Sequence, residues 1–294
     1  MKLTTNPLEP LTVLPGTSAL VLDSPHSGTL YPEDFGHAVA LTVLRVAEDT
    51  GVEALWGFAP DIGATLVHAS FPRSYIDANR ALEDIDPLLL DAPWTGPLHD
   101  GPKVRLGKGL VWRLLDDGTP IYQRRLSPSE VTHRIDACWR PYHAALEAAI
   151  DTAVARHGYV IHLNCHSMPA VSAAYSTNHP GLRHADFVIG DRDGTTADPR
   201  LTRFVERFLL GHGYTVSVNH PYTGVEIVRR HGRPAEQRLS LQLEVNKRLY
   251  MDEQTLDRHE GFALAQAALR ELAEALSGLD PRRLQDPGSV LADA

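Results

Sequence analysis

Six short and largely apolar segments most restrict what this chain can fold into: residues 19–23 (ALVLD), 65–69 (TLVHA), 159–163 (YVIHL), 186–190 (DFVIG), 214–218 (YTVSV) and 239–245 (LSLQLEV). A strand with one wet face alternates apolar and polar residues, whereas a strand covered on both faces reads as a near-continuous apolar run. Several of these segments are of the second kind, so helices are expected on both sides of the sheet they form. Helical patterns do lie between them. The clearest opens at Ser127-Pro128-Ser129-Glu130, where Ser127 and Glu130 stand at capping-box spacing and Pro128 suits the first helical position. It carries Ile135, Cys138, Trp139, Tyr142, Leu146, Ile150 and Val154 at helical spacing as far as Gly158, and Pro141 inside it predicts a kink. Further helices are expected over 41–56 (LTVLRVAEDTGVEALW), from Asp198 to about residue 211, and over roughly 254–277. Strands alternating with helices predict an α/β fold: one mixed, mostly parallel sheet flanked by helices. We expect a single domain over 1–277 with a peripheral tail over 278–294. Residues 84–124, rich in Pro, Gly and Asp, are expected as a long excursion over one end of the sheet, where loops carry function.

Composition removes several function classes. The formal net charge of −9 argues against a nucleic-acid partner, which would require a basic face. No apolar stretch approaches the roughly 18 residues of a membrane span, and the N-terminal MKLTTNPLEP lacks the apolar core of a secretory signal. The two cysteines, Cys138 and Cys165, form no disulfide framework and no CxxC pair, which fits a reducing cytoplasm.

In an open α/β sheet, ligand sites form beyond the carboxyl ends of the strands. The first segment leads into Asp23-Ser24-Pro25-His26-Ser27-Gly28, and the third into Asn164-Cys165-His166-Ser167. Histidines delivered by two strand ends suit a metal whose ligands come from distant parts of the chain. Catalytic zinc takes three protein ligands and keeps one open position. On spacing alone, Glu48, Asp49 and Glu53 all remain open as the third. In the last segment Leu239, Leu241, Leu243 and Val245 point one way, and Ser240, Gln242, Glu244 and Asn246 the other. Glu244 then either faces a cation from an otherwise core-like strand or belongs to a strand with one solvent-facing side.

A nucleophilic reading fails on direction. If the chain is still extended at Cys165-His166, their side chains point to opposite faces, and a small buried cysteine is the better account. Neither Ser27 nor Ser167 sits in a G-x-S-x-G turn, and no Gly-rich phosphate loop is present. Arginines recur at Asn79-Arg80, Arg124-Arg125, Arg229-Arg230 and Arg233. Guanidinium binds carboxylate bidentately, so together these favour a carboxylate-bearing substrate.

Seven blocks in order, DSPHSGTLYP, SYIDANRALEDIDP, YQRRLSPSEVTHRIDACWRPYHAAL, NCHSMP, GDRDGT, NHPYTGVEIVRRHGRP and LSLQLEVNKRLYMDE, resemble the N-formylglutamate amidohydrolase family from about residue 18 to 272. That resemblance implies a fold related to zinc carboxypeptidases. It also implies hydrolysis of the N-formyl, or a similar N-acyl, amide of an acidic amino acid, with formate and glutamate as the default products. It makes His26 and His166 zinc ligands, prefers Asp49 over Glu48 as the third, and makes Glu244 the general base. Arg80 is implied at the substrate carboxylate or carbonyl. Asn79, Arg124, Arg125, Tyr222, Gly224 and Arg229 complete the implied substrate-binding set. Zinc is the implied cofactor, and manganese, iron or cobalt also suits such a donor set. The chain departs from the family in two places: some members carry Asp where Asn164 stands, and a pair that often reads Gly-Gly is Gly224-Val225 here. Two other readings stay open at this point. One is a carboxypeptidase or N-acyl amino-acid deacylase of the same fold; the other is a small-molecule binding protein without catalysis.

Overall fold

The apolar segments assemble into one seven-stranded sheet in the order β1-β3-β2-β4-β7-β5-β6. Its strands are β1 (Leu11–Leu14), β2 (Leu20–Ser24), β3 (Thr65–Ala69), β4 (Val160–Met168), β5 (Phe187–Gly190), β6 (Val216–Val218) and β7 (Arg238–Asn246). The protein is described here from a computed structural model, over residues 9–174 and 179–284. β2 runs parallel to β3 and β4, β4 parallel to β7, and β5 parallel to β6, while β1 and the β5–β7 pair are antiparallel. The expected mixed, mostly parallel sheet is therefore present. β1 has no counterpart among the six sequence segments: it is a four-residue, half-buried edge strand, LTVL, set between Pro10 and Pro15.

The helices are α1 (Leu41–Leu44), α2 (Val52–Leu55), α3 (Pro102–Arg105), α4 (Pro128–Arg134), α5 (Arg140–His157), α6 (Pro199–Gly211), α7 (Glu226–His231) and α8 (Gly261–Ser277). Ser127 and Glu130 close the capping box at the start of α4, and Asp198 caps α6 through Arg200 N. Two helical expectations need correction. The stretch 41–56 is not one helix: it breaks at Glu48–Gly51, with Gly51 at φ +79, because the chain there turns to present Asp49. Helix α8 begins at Gly261, and residues 252–260 form a turn in which Leu256 adopts φ +61. A π-helical turn over Ile135–Trp139 lies directly ahead of Pro141, so the helix runs from α4 into α5 with its irregularity at the expected place.

The sheet has a core on each face. On one, Leu20, Leu22, Ile161, Leu163, Cys165, Leu241 and Leu243 pack against α6 and α8. On the other, Val21, Val67 and Ala69 meet Tyr142, Leu146 and Ile150 of α5 and the excursion residues Leu110, Val111, Trp112 and Ile121. β4 and β7 are buried along almost their whole length. The polar row of β7 is therefore covered rather than solvent-facing, and it lies beside His162, Asn164 and His166 of β4 in register. Such a row is tolerated in the interior only where its members are hydrogen-bonded. Tyr159 O–H donates to Leu279 O and Pro281 is buried, so the start of the sequence-defined tail lies against the body; residues 285–294 lie outside the described residues. Among the described residues no helix is long and apolar enough to cross a membrane.

Candidate metal centre

His26 leaves the end of β2 in a turn packed so closely on the next loop that a Cβ at Gly28 would stand 2.2 Å from Phe71 O. Asp49 N donates to His26 O at 3.0 Å, joining the turn after α1 to this loop. That turn is fastened from behind. Lys247 Nζ donates to Glu48 O at 2.7 Å, while the Glu48 carboxylate accepts from Tyr31 O–H at 2.7 Å and Thr50 Oγ1 at 3.1 Å. Glu48 is thus occupied by its neighbours and Asp49 faces the strand ends. Glu53 stands on α2, apart from this group.

His166 lies within β4 rather than beyond it, because the strand runs on to Met168. The extended backbone sends Cys165 into the apolar core and His166 to the polar face. His26, Asp49 and His166 come together with their ligand atoms all within 4.8 Å of one another, and all three are buried. Asp49 Oδ2 is 2.9 Å from His166 Nδ1 and 3.5 Å from His26 Nδ1. His26 Nε2 is 2.6 Å from Asp77 Oδ1, and His166 Nε2 is 2.7 Å from Asn164 Oδ1. Asp77 accepts the His26 ring proton at Nε2, and both imidazoles turn Nδ1 toward Asp49. His26 Nδ1 is buried with no hydrogen-bond partner. An orphaned buried nitrogen beside a second imidazole and a carboxylate fits a divalent ion, and two nitrogens with one oxygen is a donor set that catalytic zinc uses.

Glu244 is the cross-strand partner of His166 and is buried. Burial pushes its carboxyl up to about 7; the Asp49 charge adds to this, while His166, Arg73 and a 2.8 Å hydrogen bond from Gln242 Nε2 pull the other way. Asp49 is the opposite case. Burial would raise it, but the His166 and His26 rings beside it and the charge of Arg73 hold it well below the usual carboxylate range. Two carboxylates in one site are thus set apart by their surroundings, one held ionised and one poised near neutrality.

Two residues that pattern reasoning passed over complete the centre. Asp77, fully buried, accepts from His26, from Trp112 Nε1 at 3.2 Å, from Asn79 N at 2.9 Å and from Arg73 Nη2 at 3.1 Å. Burial opposes its charge, yet Arg80, His26 and Arg73 hold it well below the ordinary range. Arg73 Nη1 reaches to 3.7 Å from Asp49 Oδ1, and its guanidinium lies 4.9 Å from the centroid of the Trp112 ring. Both stand in FPRSYIDANR, a stretch with neither helical nor strand period, and only Asn79-Arg80 stood out there. Trp112 arrives from the excursion after β3, so the long loop does cover this end of the sheet.

The remaining expected residues fall in different places. Asn79 is in the centre, with Nδ2 3.2 Å from His166 Nε2 and Oδ1 accepting from Ile227 N at the start of α7. Arg80 is buried: Nη1 donates to Asn79 O, Nε to Lys108 O, and Nη2 lies 3.7 Å from Asp77. Tyr222 is half-buried, and its phenol is pushed up by burial and then by the charges of Glu244 and Asp49. Gly224 takes φ +93, and a Cβ there would meet Val228 Cγ2 at 2.6 Å. Arg229 is exposed and paired with Glu226, Arg124 is exposed and paired with Glu130, and Arg125 is exposed. The structure brings His26, Asp49, His166, Glu244 and Asn79 together and leaves these three arginines on the surface.

The family model for N-formylglutamate amidohydrolase matches residues 18–251, a span that takes in every residue of the centre. The chain belongs to the N-formylglutamate amidohydrolase family. A crystal structure of N-formylglutamate amidohydrolase from Ralstonia eutropha is 51% identical, covers 92% of this chain and 98% of its own, and superposes with a TM-score of 0.88. N-formylglutamate deformylase of Pseudomonas putida is 28% identical over 92% of this chain and 96% of its own length. The Pseudomonas aeruginosa deformylase is 28% identical over 89% and 93%. A gene product of Agrobacterium tumefaciens shares the fold at a TM-score of 0.69 and 21% identity. As a member of this amidohydrolase family the chain is a hydrolase of linear amide bonds.

Proposed function

We propose that the chain hydrolyses the N-formyl amide of an acidic amino acid, with N-formylglutamate as substrate and formate and glutamate as products. His26, Asp49 and His166 would hold a divalent metal, zinc first among those that suit the donors. The observation that carries this is the convergence of two Nδ1 atoms on Asp49 Oδ2, with Glu244 in register beside His166. A bound metal would supply Lewis-acid polarisation of the scissile carbonyl and acidify water.

The protein's own groups account for the rest. Glu244, poised by burial near neutrality, takes a proton from the attacking water and returns it to the departing amine, as a general base and then acid. Arg73 keeps partial exposure beside Asp49 and the Trp112 ring, so we place its charge against the negative charge that develops on the carbonyl oxygen. Arg80 acts a step further back: it neutralises Asp77 and ties the excursion to the Asn79 backbone. Asn79 and Tyr222 line the same end of the strands and would orient the substrate. Arg124 and Arg229 are held on the surface by Glu130 and Glu226 and Arg125 is exposed, so none of the three is assigned to the substrate carboxylate.

The direct test measures formate released from N-formylglutamate, N-formylaspartate and N-acetylglutamate, before and after chelation and zinc return, with Glu244→Gln beside the wild type. Formate release that is lost on chelation, regained with zinc and absent in the variant is expected. A metal-loaded protein that turns over none of the formyl substrates would end this reading.

A further inference from the structure

The row of polar side chains beneath the centre raises a question that the ligands alone do not answer: what keeps His166 in the tautomer a metal needs? Three groups compete for its protons. Asp49 Oδ2, 2.9 Å from Nδ1, draws a proton onto that nitrogen. Asn79 has its oxygen committed to Ile227 N at 2.9 Å, so it turns its amide N–H toward Nε2 at 3.2 Å and asks for a lone pair there. Both favour a proton on Nδ1, which would close Nδ1 to a metal. Asn164 alone of the three favours the other form, because its Oδ1 stands 2.7 Å from Nε2 and accepts a proton from it.

The orientation of Asn164 is in turn decided by Asp23. This carboxylate is completely buried and its three neighbours all donate to it: Tyr142 O–H at 2.6 Å on Oδ2, and His162 Nε2 at 2.8 Å and Asn164 Nδ2 at 2.9 Å on Oδ1. Asp23 and Asn164 are register partners on adjacent parallel strands, so their geometry is set by the sheet. An ionised carboxylate only accepts. It therefore admits only the N–H end of Asn164, and the carbonyl end is left facing His166. His162, whose Nδ1 lies 2.7 Å from Ser240 Oγ, holds Asp23 from the far side.

We infer that Asp23 is a positioning residue: acting through Asn164, it keeps the proton of His166 on Nε2 and leaves Nδ1 free for a metal. The inference rests on the metal-site reading above, but not on the substrate.

The test uses Asp23→Asn and the exchange variant Asp23→Asn/Asn164→Asp, which retains one carboxylate and one amide in the buried row and lets His162 and Ser240 swap donor and acceptor. In metal-free protein, nitrogen NMR of the histidine rings reads which nitrogen of His166 carries the proton; zinc affinity is read by competition with a chromophoric chelator. Asp23→Asn should shift the His166 proton toward Nδ1 and weaken zinc binding by about 10–100-fold, the usual effect of losing a group that orients a ligand. The exchange variant should recover both to within about threefold of wild type, a rescue that a purely structural role for Asp23 would not produce. A folded Asp23→Asn with unchanged tautomer and unchanged zinc affinity overturns the inference. If that single variant does not fold, the exchange variant decides alone: near-wild-type affinity supports the assignment, and a loss of tenfold or more refutes it. Wild-type protein that binds zinc yet fails to hydrolyse N-formylglutamate would remove the proposed function and leave this inference standing.

Discussion

Replacing Glu244 by Gln should change the pH dependence of stability in a way that only a buried, unpaired carboxylate can. In the metal-free protein burial raises the Glu244 carboxyl from 4.5 to about 7. The native state therefore binds a proton more tightly than the unfolded chain, and the stability tied to that proton is fully present below pH 4.5 and is lost as pH rises through 7. A shift of this size corresponds to about 3 kcal/mol over the full range, of which about 2 kcal/mol disappears between roughly pH 5.5 and 8.5. Gln fills nearly the same volume and does not titrate. Urea unfolding of chelated wild type and Glu244→Gln, followed by tryptophan fluorescence, should thus show the wild type losing about 2 kcal/mol more than the variant across that interval. Asp49 and Asp77 are held ionised throughout and cancel in the comparison. Added zinc should shrink the difference, because a nearby cation favours the carboxylate. Parallel stability curves for the two metal-free proteins would show that Glu244 is not desolvated as described, and the base assignment would lose its physical ground.

Asp77→Asn removes the charge and one of the two oxygens that His26, Arg73 and Trp112 divide between them, and should weaken zinc binding by about 10–100-fold in a competition titration while formate release at saturating zinc falls less. Arg73→Ala should lower kcat/KM for N-formylglutamate by about 10²–10³-fold, with Arg73→Lys recovering only part of it; equal kcat/KM in Arg73→Ala and wild type would place the developing charge elsewhere. Ser127→Ala opens the capping box of α4 and should cost about 1 kcal/mol in urea unfolding with no change in turnover, since the box lies on the surface away from the strand ends.

The central strands were legible because burial on both faces leaves near-continuous apolar runs, and the one strand missed, β1, is only four residues long between two prolines. His26, His166 and Glu244 were legible for a related reason. Each interrupts a strand that is otherwise core, and a polar residue in such a place calls for a partner. Asp49 was not decided by spacing, because Glu48 and Asp49 are chemically alike and adjacent. What separates them is tertiary: Lys247 and Tyr31, distant in sequence, occupy Glu48 and turn its neighbour inward. Arg73, Asp77 and Trp112 left no trace for the same reason. They meet across two loops without period, and only the folded excursion makes them neighbours. The arginine signal misled in detail. Paired arginines such as Arg124-Arg125 and Arg229-Arg230 catch the eye in sequence, yet they face water and nearby glutamates, while the single Arg73 reaches the centre.

The polar row also explains how such a centre can be rigid inside a sheet covered on both faces. Moving from the far end of β4 toward the site, His162 bonds Ser240 and Asp23, Asn164 bonds Asp23 and His166, and Gln242 bonds Glu244. Each link satisfies a buried donor or acceptor that would otherwise cost about 1–3 kcal/mol. Satisfaction ends at the site itself, where His26 Nδ1 and Gln242 Oε1 are buried without partners. Gln242 cannot relieve its own orphan by turning over, because that would set its oxygen against the Glu244 carboxylate. These two unmet polar groups stand where an incoming ion or substrate can meet them. The same parallel register that aligns His166 with Glu244 and Asn164 with Asp23 therefore does two things. It makes the row stable enough to hold these side chains still, and it sets the unpartnered His26 Nδ1 and Gln242 Oε1 beside the candidate site.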